Sequence, residues 1–196
     1  LEQYAGDLWA PRDGGSELFL FDGEATWRSD DYGDSWIQLG TPGVDSSGAQ
    51  IAGSEAGAPR IWLILDSTSL WRSDDAGENW AYMHPVSDYW GSLNASSTDP
   101  DVFAWGGVEV HRSTDGGENF ATVNSWGAYY GDPENMLHAD VPGIDLIIDE
   151  DGQEIWYINT DGGLYRSLDN LATVENMSLQ GLRVSQYYST HTSSTN

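Results

Sequence analysis

Two stretches, "HPVSDYWG" at 84–91 and "SWGAYYGDPENMLHAD" at 125–140, set aromatic rings beside carboxylates and imidazoles. Rings of Tyr89, Trp90, Trp126, Tyr129 and Tyr130 would cover the apolar C–H faces of a sugar. Asp88, Asp132, Glu134, His138 and Asp140 would hydrogen-bond its hydroxyls. These ten are the candidate ligand-binding residues; the competing reading packs half of the rings between sheets. Two carboxylates about 5–10 Å apart across such a sugar could also cleave a glycosidic bond, but any acidic, loop-rich face offers such pairs by accident. No catalytic residue is therefore assigned.

Other chemistry finds little support. The four His, at 84, 111, 138 and 191, lack close ligand spacing, so no metal site is expected. "DEDGQE" at 149–154 has the oxygen density of a calcium loop without the spacing of a 12-residue site, and reads as a hairpin turn. No nucleophile elbow, phosphate loop or dinucleotide fingerprint is present, so no cofactor is expected.

Composition limits the partners. The chain has no Lys, 7 Arg and 32 Asp plus Glu, a formal charge of -25, so nucleic acids and anionic membranes would be repelled. Its 39% hydrophobic content and 10 Trp nevertheless suffice for a core. There is no Cys and no apolar run of about 18 residues, so neither disulfides nor membrane insertion is expected. A Lys-free acidic surface suits a secreted or cell-surface protein from a salty habitat. The start at Leu1 suggests a processed product or a piece of something longer. "NAS" at 94–96 and "NMS" at 176–178 fit the N-glycosylation sequon.

The elements that must position these residues are written as a repeat. "RSDDYGDSW", "RSDDAGENW", "RSTDGGENF" and "RSLDNLATV" put a serine at 29, 73, 113 and 167, giving steps of 44, 40 and 54 residues. Each period holds strand-like runs, such as "ELFLF", "TWRS" and "WIQL" in the first. Periods of about 40–50 residues with several short strands are a propeller signature. The expectation is an all-β β-propeller of four-stranded antiparallel blades near 7–40, 49–84, 90–124 and 136–177. "LRVSQYY" reads as the first strand of a further blade at 182–190, which makes residues 1–196 one segment of a larger, seven-bladed ring. The missing blades, in the same protein or another chain, are the expected partner. Each nonapeptide joins the third strand to the fourth as a turn staple. Ser29, Asp31, Ser73, Asp75, Ser113, Asp115, Ser167 and Asp169 satisfy backbone donors. Gly33, Gly77 and Gly117 allow a positive φ, while Trp36, Trp80 and Phe120 plug the blade.

These nonapeptides resemble the Asp-box, S-x-D-x-G-x-x-W, of sialidases, sortilin-type domains and several propeller glycoside hydrolases. Two copies match fully, the third replaces Trp by Phe120, and the fourth keeps only Ser167 and Asp169. The last third is similar to sortilin-related repeat proteins that include xyloglucan-cleaving enzymes, whose run is H-x-D-H-H, then N-D-G-G-[LIV]-[YW]-x-S, then Q-F-Y. His138, Asp140, "TDGGLYRS" and "SQYY" match it, but "VPG" stands where the paired histidines would be. A sialidase would need three convergent arginines. Here Arg28, Arg72, Arg112 and Arg166 all precede a box serine, and of the remaining Arg12, Arg60 and Arg183 the first two fall in first-to-second-strand turns on the box face. A photosystem-assembly propeller would need a basic patch, which 7 Arg do not supply. With the innermost strand first, the boxes and the candidate aromatics fall on opposite faces of the propeller. The expected function is thus an extracellular, non-catalytic recognition or adhesion module with a polysaccharide or a surface protein as ligand. The alternative is a segment of a sortilin-like glycoside hydrolase acting on a β-glucan such as xyloglucan.

Overall fold

The computed structural model describes residues 6–57, 59–87 and 90–181. Asp88, Tyr89 and the strand expected at 182–190 lie outside the described residues. Blade I consists of β1 (Asp7–Trp9), β2 (Leu18–Phe21), β3 (Thr26–Ser29) and β4 (Ile37–Gln38). Blade II consists of β5 (Ala49–Ser54), β6 (Arg60–Leu65), β7 (Ser69–Ser73) and β8 (Ala81–Pro85). Blade III follows with β9 (Ser92–Ala95), β10 (Phe103–Gly106), β11 (Val110–Ser113) and β12 (Ala121–Thr122). Blade IV has β13 (Gly143–Ile148), β14 (Glu154–Thr160), β15 (Gly163–Ser167) and β16 (Glu175–Asn176). Every sheet is an antiparallel meander with strands in sequence order. First strands lie side by side, β1 on β5, β5 on β9 and β9 on β13, so they line the axis of a β-propeller.

Blade IV begins at Gly143, later than the repeat spacing suggests. Residues 136–142 belong to the connection, because the Asp140 and Val141 amides donate to Val108 and Gly107 carbonyls and tie the segment to blade III. The other unforeseen elements are two 3-10 turns, Trp126–Tyr130 and Met177–Leu179.

Burial follows from which faces are covered. In blade II both faces are packed, and β6 is buried from Ile61 to Leu65. In blade I only one face meets a neighbour among the described residues: Phe19 and Phe21 are buried while Leu18 and Leu20 are half-buried. Trp9, Phe19 and Phe21 meet Ile51, Ile61 and Leu63 between blades I and II. Trp62, Ile64 and Leu70 meet Leu93, Phe103 and Trp105 between II and III. Ala104 and Val110 meet Leu146, Trp156 and Tyr165 between III and IV. Each fully buried large side chain contributes roughly 1.5–3 kcal/mol.

Polar contacts cross the same interfaces. Arg60 bonds Asp74 of its own blade and Asp101 and the Pro100 carbonyl of blade III. Arg72 donates to the Gly116 carbonyl at 2.7 Å, with Glu118 at 3.4 Å. Near the axis, Arg12 of blade I bonds Asn94 of blade III at 2.5 Å, and Asn94 donates on to the Ile144 carbonyl of blade IV. Burial lowers the Arg12 pKa, opposed by the charges of Glu55, Glu154 and Asp145.

The four box turns share one hydrogen-bond scheme. Each serine Oγ, at Ser29, Ser73, Ser113 and Ser167, accepts from the backbone N–H four residues on at 2.8–2.9 Å. Each also donates to the aspartate two residues on, at Asp31, Asp75, Asp115 and Asp169. Those aspartates accept from the backbone N–H groups of Ser35, Asn79, Asn119 and Thr173. The same four residues donate from their side chains at 2.6–2.8 Å, a contribution the repeat pattern did not single out. Gly33, Gly77 and Gly117 have φ of 92°, 91° and 93°. In the degraded fourth turn Leu171 takes that place at φ 64° and is held there by the Ser167 bond and by burial. Trp36 and Trp80 are only half-buried, and their indole N–H groups donate to the Gly33 and Gly77 carbonyls.

Ser73 is 1% exposed, so Ser73→Ala leaves the Gly77 N–H without its acceptor inside the fold. Urea unfolding is expected to show a loss of about 1–3 kcal/mol, the usual penalty for orphaning a buried donor. An unchanged midpoint would remove the structural role of the turn.

Candidate functional site

The segment leaving β12 explains how the aromatics become displayed. Asn124 fixes both ends of the excursion: its side-chain oxygen accepts from the Leu137 N–H, and its amide donates to the Leu137 and Ser125 carbonyls. Between those ends the chain makes the 3-10 turn Trp126–Tyr130, started by the Trp126 N–H bonding to Glu109. No residue of this turn is buried, and Trp126 is 51% and Tyr130 69% exposed. Such exposure of large rings on a folded turn makes it the candidate contact surface.

The rings form a ledge on His138. Tyr129 meets His138 edge-on at 4.7 Å, and Tyr130 meets Tyr129 at 5.5 Å and Trp126 at 6.1 Å. His138 in turn lies so close to Gly162 that a Cβ there would sit 2.4 Å from the His138 Cβ. The buried Tyr165 lies beneath the ledge. Burial pushes its pKa up to about 12, and its hydroxyl faces the His138 backbone and Thr160 without closing an ordinary hydrogen bond. Tyr165 escaped the sequence reading because "LYRS" reads equally well as a core strand.

Of the other candidates, Asp132 follows the ledge directly, its N–H bonded to the Ala128 and Tyr129 carbonyls. Asp132 accepts both bonds of the Asn135 amide and lines a groove of about 610 Å³ with Met136, Arg166 and Glu175, between blades III and IV. Glu134 lines a smaller hollow beside Asn176 and Leu179, and its carbonyl accepts the Asn176 N–H. These two carboxylates therefore flank the outer edge of blade IV. Trp90, 52% exposed, is bonded through its N–H to the Gly106 carbonyl; neighbouring Gly91 lines two depressions, one with Ser47 and Asp66 and one with Ser92 and Asp145. Among the described residues no ring contact joins Trp90 to the Trp126 ledge. Asp140 sits in the connection at φ 62°, accepting the Asp161 N–H at its carbonyl.

Two other sequence signals acquire a local explanation. In 149–154, the Asp149 carboxylate accepts from the Asp151 and Gln153 N–H groups, closing a hairpin turn. Among the described residues no group of three or more His, Cys, Asp or Glu could hold a metal ion. Neither sequon presents an acceptor: Asn94 is engaged by Arg12 and Ile144, and Asn176 is 2% exposed with its amide on the Pro133 carbonyl. A glycan at either position would have to displace those contacts. No helix among the described residues is long and apolar enough to cross a membrane.

The box aspartates carry lowered pKa values. At Asp31, Asp75 and Asp115 the largest cause is the side-chain bond from Ser35, Asn79 or Asn119. At Asp169 burial acts upward, and the bonds from Thr173 and Ser167 outweigh it. A lowered folded-state pKa gives stability that is complete above the ordinary value of 3.8 and is lost as pH falls through the folded values. The thermal midpoint is accordingly expected to fall between about pH 4 and pH 2, with a shallower fall in Asp75→Asn. Equal slopes in the two proteins would contradict the assignment.

No protein-family model and no curated protein matches the chain. Solved structures do. The chain is similar to the GH74 enzyme of Niastella koreensis, at 16% identity and TM-score 0.56 over 82% of this chain and 22% of that one. It is similar to the GH74 xyloglucanase of Xanthomonas campestris, at 18% identity and TM-score 0.54 over 84% of this chain and 28% of that one. It is also similar to YCF48 of Cyanidioschyzon merolae, at 13% identity and TM-score 0.51 over 84% and 53% of the two chains. The chain thus spans about a quarter of the length of the two GH74 enzymes. At these identities the likeness is one of architecture, and the chain has the β-propeller fold.

Proposed function

We propose that this chain is part of a secreted or cell-surface recognition module, its turns being Asp-boxes, and that it binds a neutral glycan on the Trp126–Tyr130 ledge. One observation carries the reading: a 3-10 turn with no buried residue, pinned at both ends by Asn124, holds two largely exposed rings on a His138–Tyr129 base. Rings fixed in this way lose little freedom on binding and can stack on sugar C–H faces. The formal charge of -25 favours a neutral ligand over an anionic one. Calorimetric titration with xyloglucan oligosaccharides, cello-oligosaccharides and a uronic-acid polymer tests it. Binding of a neutral glycan alone supports the reading; binding of the acidic polymer or of nothing refutes it.

A second reading is favoured by the xyloglucanase among the structural neighbours: a segment of a sortilin-like glycoside hydrolase acting on a β-glucan. Release of reducing sugar from xyloglucan would support that reading over the binder.

A further inference from the structure

We propose that the ledge seats a single terminal pyranose, the last sugar of a chain or branch, and not the flat run of a linear polysaccharide. This inference rests on the glycan reading and narrows it.

The planes of the rings carry the argument. Trp126 and Tyr130 are the two largely exposed rings of the turn, and their planes stand at 84° with centroids 6.1 Å apart. Tyr130 and Tyr129 stand at 77° and 5.5 Å. Both separations fall inside the range of about 4.5–7 Å at which edge-to-face pairs touch, so no sugar fits between the partners of either pair. A pyranose stacked on one ring lies parallel to it and therefore upright against the next. A polymer face, whose successive sugars share one plane, could be parallel to only one of the two exposed rings. The other would stand across its path as a wall. What fits such a corner is one sugar with a C–H face on one ring and its rim against the other, from which the chain leaves on the open side.

The corner is held at that angle from below. The half-buried Tyr129 meets His138 at 4.7 Å and 81°, and Tyr130 meets the same imidazole at 6.3 Å and 65°. His138 is fixed in turn by its Nδ1, 3.0 Å from the Ala139 carbonyl, and by the close approach of Gly162. The rings therefore cannot swing into one plane without giving up these contacts. Gly127, next to Trp126, leaves the approach open, since even a Cβ there would meet nothing within 4 Å. A terminal sugar also carries free hydroxyls around most of its rim, and the exposed Tyr130 brings a phenol that can donate to or accept from them.

Calorimetric titration of the whole chain with linear neutral oligosaccharides, from disaccharide to hexasaccharide in the glucose, mannose, galactose and xylose series, tests this. In each series that binds, affinity is expected to stay within about threefold across the lengths, because only the terminal sugar is in contact. A soluble linear polymer of the same series should take up one protein per chain. An affinity that climbs with length beyond that range overturns the inference and leaves the glycan reading standing. Several proteins bound along one polymer chain do the same. Length-independent binding that survives both Trp126→Ala and Tyr130→Ala overturns the inference by placing the sugar elsewhere. No binding in any series overturns the glycan reading and this inference together.

Discussion

Replacing Glu154 with Ala is expected to lower stability by about 3–5 kcal/mol, the largest effect of any single change considered. The carboxylate is 8% exposed at the start of β14 and inserts into the loop that follows β9. It accepts from the Ser96 hydroxyl, the Ser97 N–H and hydroxyl and the Thr98 N–H, at 2.7–3.0 Å. Removing it leaves four donors facing a cavity at the junction of blades III and IV, and donors orphaned in the interior cost about 1–3 kcal/mol each before relaxation. Glu154→Gln keeps one acceptor but turns an NH₂ group toward the same donors, so it should fall between wild type and Ala. Urea unfolding monitored by Trp fluorescence measures all three. A loss for Glu154→Ala below about 1 kcal/mol would mean that the cluster is solvated rather than a latch between blades.

The second large effect concerns ligand rather than fold. Trp126→Ala and Tyr130→Ala are each expected to weaken binding of a neutral oligosaccharide by about 2 kcal/mol, roughly thirtyfold, as loss of a central aromatic anchor does. Because these rings are 51% and 69% exposed, stability should change by no more than about 0.5 kcal/mol. The contrast with Ser73→Ala makes the test specific: that change should reduce stability and leave the affinity of the folded protein intact. If Trp126→Ala and Tyr130→Ala leave binding unchanged while Trp90→Ala removes it, the binding surface lies beside Gly91 and not on the ledge.

The fold was legible because it is written in periodic features. A serine and an aspartate two residues apart, repeated at 40–54 residue steps, force the same turn each time, and between the turns alternating apolar residues leave few options other than strands. Even the fourth turn follows the scheme, since Ser167 and Asp169 are the two side chains whose oxygens make the bonds. The site was less legible. Which of Asp132, Glu134, Tyr129 and Tyr130 stand exposed or line grooves is set by the 3-10 turn and the Asn124 clamp, which local sequence does not announce.

Local rules therefore determined the all-β class, the four blades and the box turns, because a turn bond needs no distant residue. Tertiary structure alone decided that Glu154 of "DEDGQE" is a latch to the Ser96–Thr98 loop of blade III. It also buried the Asn176 of a sequon and seated Tyr165 beneath exposed rings. Those outcomes depend on contacts between residues about 30–60 positions apart. The energy of such contacts comes from burial and from hydrogen bonds shared between blades, and only the packed arrangement of the blades specifies which residues meet.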